Sequence, residues 1–163
     1  MSKGCFVDIE LKNESLNCKS WVLNERQICD LEMILNGGFA PLNCFLNRDD
    51  YESVLSSMRL NNGSLWPIPI NLDVNEEFSR KINPGDKLTL KDREGFSIAI
   101  IDIEDIWSPD LKKECMYIYG TTDNTHPGVD YLLNQSNPIY VGGKIKAISL
   151  SLIHISEPTR QSP

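Results

Sequence analysis

The apolar residues of this chain change their spacing once, near residue 64, and that change constrains the fold more than any other feature. Before it, they recur at helical intervals; after it, they fall into short strand-like runs. Such a chain lacks the strand–helix–strand alternation that builds a parallel sheet, so the pattern predicts an α+β domain around a partly closed barrel. Two main helices lie near the N-terminus.

The first helix has the clearest signals. Asn24 is the N-cap and Glu25 lies in the first turn; Ile28, Leu31, Ile34 and Leu35 share one face; Gly37-Gly38 supplies the stop. Cys29 falls inside this pattern and is expected in the core. In the second helix Tyr51, Val54, Leu55 and Met58 repeat, and Asn61-Asn62-Gly63 ends it. Ahead of both, Cys5, Val7, Ile9 and Leu11 alternate with period two, predicting a short strand.

Beyond residue 64, Leu65–Leu72 is apolar but carries Pro67 and Pro69, which permits only an edge or bulged strand. Asn83-Pro84-Gly85-Asp86 reads as a tight turn. Lys87–Leu90 and Phe96–Ile103 read as a hairpin closed near Gly95. Cys115–Tyr119 predicts another strand, and Ile139–Val141 with Lys144–Ile148 a last pair turning at Gly142-Gly143.

At 163 residues the chain is long enough for one core without a metal or disulfide staple. Sixteen basic against twenty-three acidic residues give a net charge of −7, which argues against nucleic acid or an anionic membrane as the main partner. No apolar run approaches membrane-spanning length and no signal-peptide core opens the chain, so the expected setting is cytoplasmic. Five irregularly spaced cysteines read as reduced thiols.

Chemically capable groups are sparse. Of two histidines, His154 lies in an atypical tail, leaving His126, which with Asp123 forms either an oriented acid–base pair or an ordinary loop before Pro127-Gly128. The loop is the preferred reading. Neither glycine pair sits in a phosphate-binding pattern, and no Gly-x-Ser-x-Gly elbow occurs. Asp49-Asp50 reads as a helix start, Glu76-Glu77 as a loop, and Asp102, Glu104 and Asp105 as a solvated strand end. Trp66, Trp107 and Tyr119, placed in strand regions, read as packing groups rather than stacking platforms. The nearby basic pairs Lys112-Lys113 and Lys144/Lys146 are too small to make a nucleic-acid groove.

Residues 150–163, Leu150 to Pro163, resemble the translation of a transposase adapter used in library sequencing. The expectation is a foreign tail, with a native protein that continues differently after Ser149. Resequencing the source locus tests it; genomic sequence running unchanged through Ile153-His154-Ile155-Ser156 contradicts it.

Five ordered segments carry a family resemblance. They are Trp21–Leu42 (WVLNERQICDLEMILNGGFAPL), Asp50–Leu55 with Met58-Arg59-Leu60, and Leu65-Trp66-Pro67-Ile68-Pro69-Ile70. Then come Tyr119–Asp123 with His126-Pro127-Gly128-Val129, and Tyr140-Val141-Gly142-Gly143-Lys144. Together they resemble the N-terminal, PUA-like domain of ATP sulfurylase (sulfate adenylyltransferase). The resemblance covers residues 21–149, departs at Asn43-Cys44, and leaves residues 1–20 poorly matched.

It implies an enzyme that joins sulfate to Mg-ATP, giving adenosine 5′-phosphosulfate and pyrophosphate. It also implies that the chemistry sits in a following catalytic domain, whose Gln-x-Arg-Asn-Pro-x-His-x-x-His and Gly-Arg-Asp-His segments do not occur here. Gln135-Ser136-Asn137-Pro138 lacks the Arg and both His of the first. A truncated, inactive piece of a homo-oligomeric enzyme is therefore expected, with no catalytic, cofactor-binding or metal-binding residue of its own. Thr121, Thr122, Asp123 and His126 are the candidates for contact with the catalytic domain, the alternative being a self-contained turn. A freestanding PUA-like module for RNA or a protein partner is the competing reading, as fold alone does not decide function.

Overall fold

The computed structural model describes residues 9–148. Among them, helices and strands mix in chain order: α1 (Ile9–Ser15), β1 (Lys19–Val22), α2 (Glu25–Leu35), β2 (Cys44–Phe45), α3 (Arg48–Ser57), β3 (Leu72–Val74), α4 (Glu76–Ser79), β4 (Lys87–Lys91), β5 (Ser97–Trp107), α5 (Leu111–Tyr119), α6 (Pro127–Asp130) and β6 (Ile139–Ala147). A π-helical turn, Tyr131–Gln135, follows α6. The six strands hydrogen-bond in the order β1-β4-β5-β6-β2, with β3 pairing off that path onto β6. The path is open among the described residues, so the α+β, partly closed sheet expected from the pattern is present. The residues divide into two compact units: 9–44, 86–102 and 144–148 form the first, Phe45–Gly85 and Ile103–Gly143 the second.

In the first unit, α2 begins where its cap dictates. The Asn24 side chain accepts from the Gln27 amide at 2.9 Å, and the Gln27 side chain accepts from the Asn24 amide at 3.1 Å, a reciprocal capping box. Gln27 is buried and also accepts from the Trp21 indole at 3.1 Å, tying the cap to β1. Replacing Asn24 with alanine should cost about 1 kcal/mol, read as a lower urea midpoint at unchanged slope. Gly37, at φ +80°, ends the helix. Gln27, Leu31 and Ile34 make the buried stripe, and Cys29 falls off it: the expected core cysteine is exposed. Strand β1 runs parallel to β4, with Lys19 opposite Leu88 and Val22 opposite Lys91. Strands β4 and β5 form the expected hairpin, antiparallel with a bulge at Leu90/Lys91. Leu88, Leu90, Ala99, Ile100 and Ile101 are fully buried or nearly so.

The expected strand at Cys5–Leu11 is not formed where it can be seen. Cys5–Asp8 lies outside the described residues, and Ile9–Leu11 opens helix α1. Ile9 is exposed, so the alternation there does not mark a buried face. The Glu14 carboxylate pairs with Lys87, and Thr89 donates to the Ser15 carbonyl, which fixes the end of α1 against β4.

In the second unit, α3 is capped by Asn47 and buries Tyr51, Val54 and Leu55. It stops one residue short of the expected stripe, because Met58 adopts a left-handed C-cap (φ 55°) and is exposed. Pro67 and Pro69 keep Leu65–Asn71 from forming a regular strand; only an isolated bridge, Arg59 to Leu65, precedes β3. Glu76-Glu77 starts a short helix rather than a loop, capped by Asn75.

Cys115–Tyr119, expected as a strand, is helix α5. Asp110 accepts from the Lys113 amide at its start and Gly120 (φ 71°) terminates it. Cys115, Val129 and Leu132 pack together beneath it. The expected turn at Gly142-Gly143 is instead the middle of β6. A Cβ on Gly142 would lie 2.1 Å from the Leu46 carbonyl oxygen, so glycine serves close backbone approach there.

Candidate functional site

The four sequence candidates sit together after α5. The Thr121 hydroxyl accepts from the Asp123 amide at 3.1 Å, and the Asp123 carboxylate from the Thr125 amide at 3.0 Å. Hydrogen bonds from Thr125, its amide first and then its side chain, hold the Asp123 carboxyl below its usual range. The His126 amide donates to the Asp123 carbonyl at 3.0 Å, and His126 caps α6 by accepting at Nδ1 from the Gly128 amide at 3.1 Å. That bond leaves the ring proton on Nε2.

The Tyr119 and His126 rings lie 4.7 Å apart, centroid to centroid. A Cβ on Gly128 would strike the Tyr119 ring at 2.5 Å, so the glycine lets the ring close over the turn. Tyr119, expected in a strand, ends a helix. The Asp123 and His126 side chains each bond a different backbone amide and do not face one another as an acid–base pair. The loop thus fixes its own geometry, leaving the exposed Thr122 hydroxyl without a partner among the described residues.

A second cluster escaped the sequence reading. Glu114, on α5, is buried, and its Oε1 accepts from the Tyr51 hydroxyl at 2.5 Å and the Tyr140 hydroxyl at 2.9 Å. Trp107 closes the nest, its ring centroid 5.6 Å from Tyr51 and 5.8 Å from Tyr140. Burial first, then the Glu114 charge, pushes both phenols far above their usual range. These groups are locked protonated and face inward. They brace α3, α5 and β6.

The remaining candidates are absorbed by structure. The Glu104 and Asp105 carboxylates accept from the Asn47 side chain and the Arg48 amide at the start of α3, and Asp102 pairs with Lys146 at 3.8 Å. Asn137 donates twice to Asp73, and the Ser136 hydroxyl bonds the Leu132 carbonyl, so Gln135–Pro138 is a brace on β3. Among the described residues no group of three or more His, Cys, Asp or Glu is placed to hold a metal ion, and no helix is long and apolar enough to cross a membrane. A groove of about 840 Å³ runs along α3 and α5. Its carboxylates Asp49, Glu52 and Asp110 outnumber its cations Arg48 and Lys113, and Arg48 is already paired with Glu52 at 3.3 Å. That charge set does not fit a nucleoside triphosphate.

The model of the PUA-like domain family matches residues 7–150. The chain belongs to that family. This PUA-like chain is 42% identical over 153 residues to a sulfate adenylyltransferase of Eremothecium gossypii, covering 94% of itself and 30% of the relative. It is 44% identical to one from Schizosaccharomyces pombe (86% of this chain, 29% of the relative) and 46% identical to one from Aspergillus fumigatus (86% and 25%). The chain therefore spans less than a third of these curated relatives. A solved structure described as a hexameric APS kinase from Thiobacillus denitrificans matches with a TM-score of 0.66 and 28% identity, over 87% of this chain and 24% of that one. The PUA-like family and the likeness to sulfate adenylyltransferases expected from the ordered segments are both found.

Proposed function

We propose that this chain is the PUA-like part of a sulfate adenylyltransferase, with adenylyl transfer carried out by the portion of such proteins that it does not span. The reaction joins a sulfate oxygen to the α-phosphorus of Mg-ATP and releases pyrophosphate. One observation carries the reading: identity of 42–46% over 86–94% of this chain to proteins of that name. The physical chemistry agrees. Pressing a dianion against the α-phosphate needs preorganised positive charge, and the groove along α3 and α5 holds more carboxylates than cations. The chain alone is inactive; the complete enzyme works in the cytoplasm as a homo-oligomer, and the Thr121–His126 loop meets the catalytic part. The tail from residue 150 is foreign.

A chimera tests this. Residues 21–148 replace the matching segment of the Schizosaccharomyces pombe relative, and sulfate-dependent ATP–pyrophosphate exchange is measured. Exchange within about tenfold of the parent is expected, since that is roughly 1.4 kcal/mol of barrier. A soluble, folded chimera with no exchange contradicts the reading. Thr122→Ala should lower the melting point of the chimera but not that of the 163-residue chain; equal effects on both would remove the loop from the contact.

A further inference from the structure

Two asparagines in this sequence are followed by glycine, Asn36-Gly37 and Asn62-Gly63. Such a pair carries an intramolecular reaction: the glycine nitrogen attacks the asparagine side-chain carbonyl, with no Cβ in the way. All four residues are exposed. Both glycines take positive φ, and a Cβ built on either meets nothing within 4 Å. In both pairs the asparagine Oδ1 already accepts from the amide two residues on, from Gly38 at 2.8 Å and from Ser64 at 2.9 Å. That amide is a donor at the oxygen on which negative charge would gather.

The pairs differ in what holds their backbone. Asn36 belongs to the end of α2, where its amide bonds the Glu32 carbonyl at 2.9 Å and the Phe39 amide reaches back to Met33 at 3.0 Å. The Gly37 amide bonds Ile34 only at 3.4 Å, but freeing it frays the turn that carries the buried Ile34. Asn62 lies outside every helix and regular strand, at a tip closed by the isolated Arg59–Leu65 bridge. There the Gly63 amide bonds the Leu60 carbonyl and the Leu60 amide the Ser64 carbonyl, both at 2.9 Å. Opening the exposed Asn61–Gly63 tip breaks few bonds, and such local openings are the cheapest a fold allows. The Arg59 guanidinium, bonded to the Gly63 carbonyl at 2.9 Å, keeps a positive charge beside the reacting amide.

We propose that Asn62 is a self-modification site, converted through a cyclic imide to aspartate and isoaspartate, and that α2 protects Asn36. The Gly63 amide gives its proton to hydroxide, its nitrogen bonds to the Asn62 Cγ, and the side-chain nitrogen leaves as ammonia. Water then opens the imide. Attack at Cγ gives aspartate; attack at the backbone carbonyl carbon gives isoaspartate, with one more carbon in the main chain. Either product sets a new carboxylate near Arg59. The longer chain also disturbs Asn61, whose amide bonds Asp50 of α3 at 2.9 Å. None of this depends on the sulfate chemistry, which the exchange assays test separately.

The 163-residue chain, held warm at mildly alkaline pH, is mapped by mass spectrometry. Isoaspartate is counted by methyl transfer from S-adenosylmethionine with an isoaspartyl methyltransferase. In the folded chain Asn62 should lose its amide at least about tenfold faster than Asn36, or about 1.4 kcal/mol in the cost of opening. In urea the two rates should converge. Gly63→Ala should suppress the conversion while the chain stays folded. Asn62 intact after the unfolded chain has converted overturns the proposal. So do equal rates at the two sites in the folded chain, a preference that persists unchanged in urea, or conversion of Gly63→Ala at the parent rate.

Discussion

Valine in place of Gly142 is expected to leave the chain largely unfolded, and alanine there to cost about 3 kcal/mol or more. The new Cβ would lie 2.1 Å from the Leu46 carbonyl oxygen, 2.6 Å from the Asn47 Cα and 2.7 Å from the Leu46 carbonyl carbon. All three are backbone atoms, so no side chain can swing away to make room. The contact also lies one residue before Arg48, where α3 begins, and α3 carries Tyr51 into the buried nest. Urea unfolding of Gly142→Ala measures the loss. Alanine at Gly63, where φ is +89° and no atom lies within 4 Å of the added carbon, gives the comparison. That site should cost only about 1 kcal/mol of left-handed backbone strain. Equal losses at the two sites would contradict the steric account.

The second large effect is at Glu114. Alanine there removes the common acceptor of two buried hydroxyls and leaves a void, for a loss of about 3 kcal/mol. Glutamine keeps an acceptor in place and should cost less. The same nest makes stability depend on alkali. Tyr51 and Tyr140 ionise near 10 in an unfolded chain, and the folded state holds both protons well beyond that. Their contribution is therefore fully present below pH 10 and is lost as pH rises above it, where only the unfolded chain gives up the protons. Urea midpoints between pH 8 and 11 should fall steeply for the parent and less for Tyr51→Phe with Tyr140→Phe. Parallel slopes would show that the phenols do not carry the effect.

What was legible in the sequence was local. The ends of helix α2 could be read because Asn24 and Gly37 act on backbone groups within a few positions of themselves, whereas the Gln27 half of its cap and the exposure of Cys29 could not. The β4–β5 hairpin was readable for the same reason, through Gly95 (φ 91°) and two alternating runs. Helix α5 was not, because Met116-Tyr117-Ile118-Tyr119 has the composition of a strand and the signals that decide it lie at the ends. Asp110 before and Gly120 after would have identified it. Gly142-Gly143 looked like a turn because the contact that demands glycine comes from Leu46, nearly a hundred positions away. The Glu114 nest was invisible for a related reason: Tyr51, Glu114 and Tyr140 meet only once three elements are packed. Thr121 to His126 form a turn that their residue types suggested. Whether its side chains served each other or the backbone was a matter of angles that spacing does not encode.

The most direct test of the central claim is an assay of the 163-residue chain itself for sulfate-dependent exchange of label between pyrophosphate and Mg-ATP. The chain is acidic, and its buried carboxylate and phenols are sealed inward, so exchange with sulfate should equal exchange without it. Turnover that rises with sulfate and saturates would mean that these residues hold and activate the nucleotide themselves, and the assignment of chemistry to another part of the enzyme would be wrong.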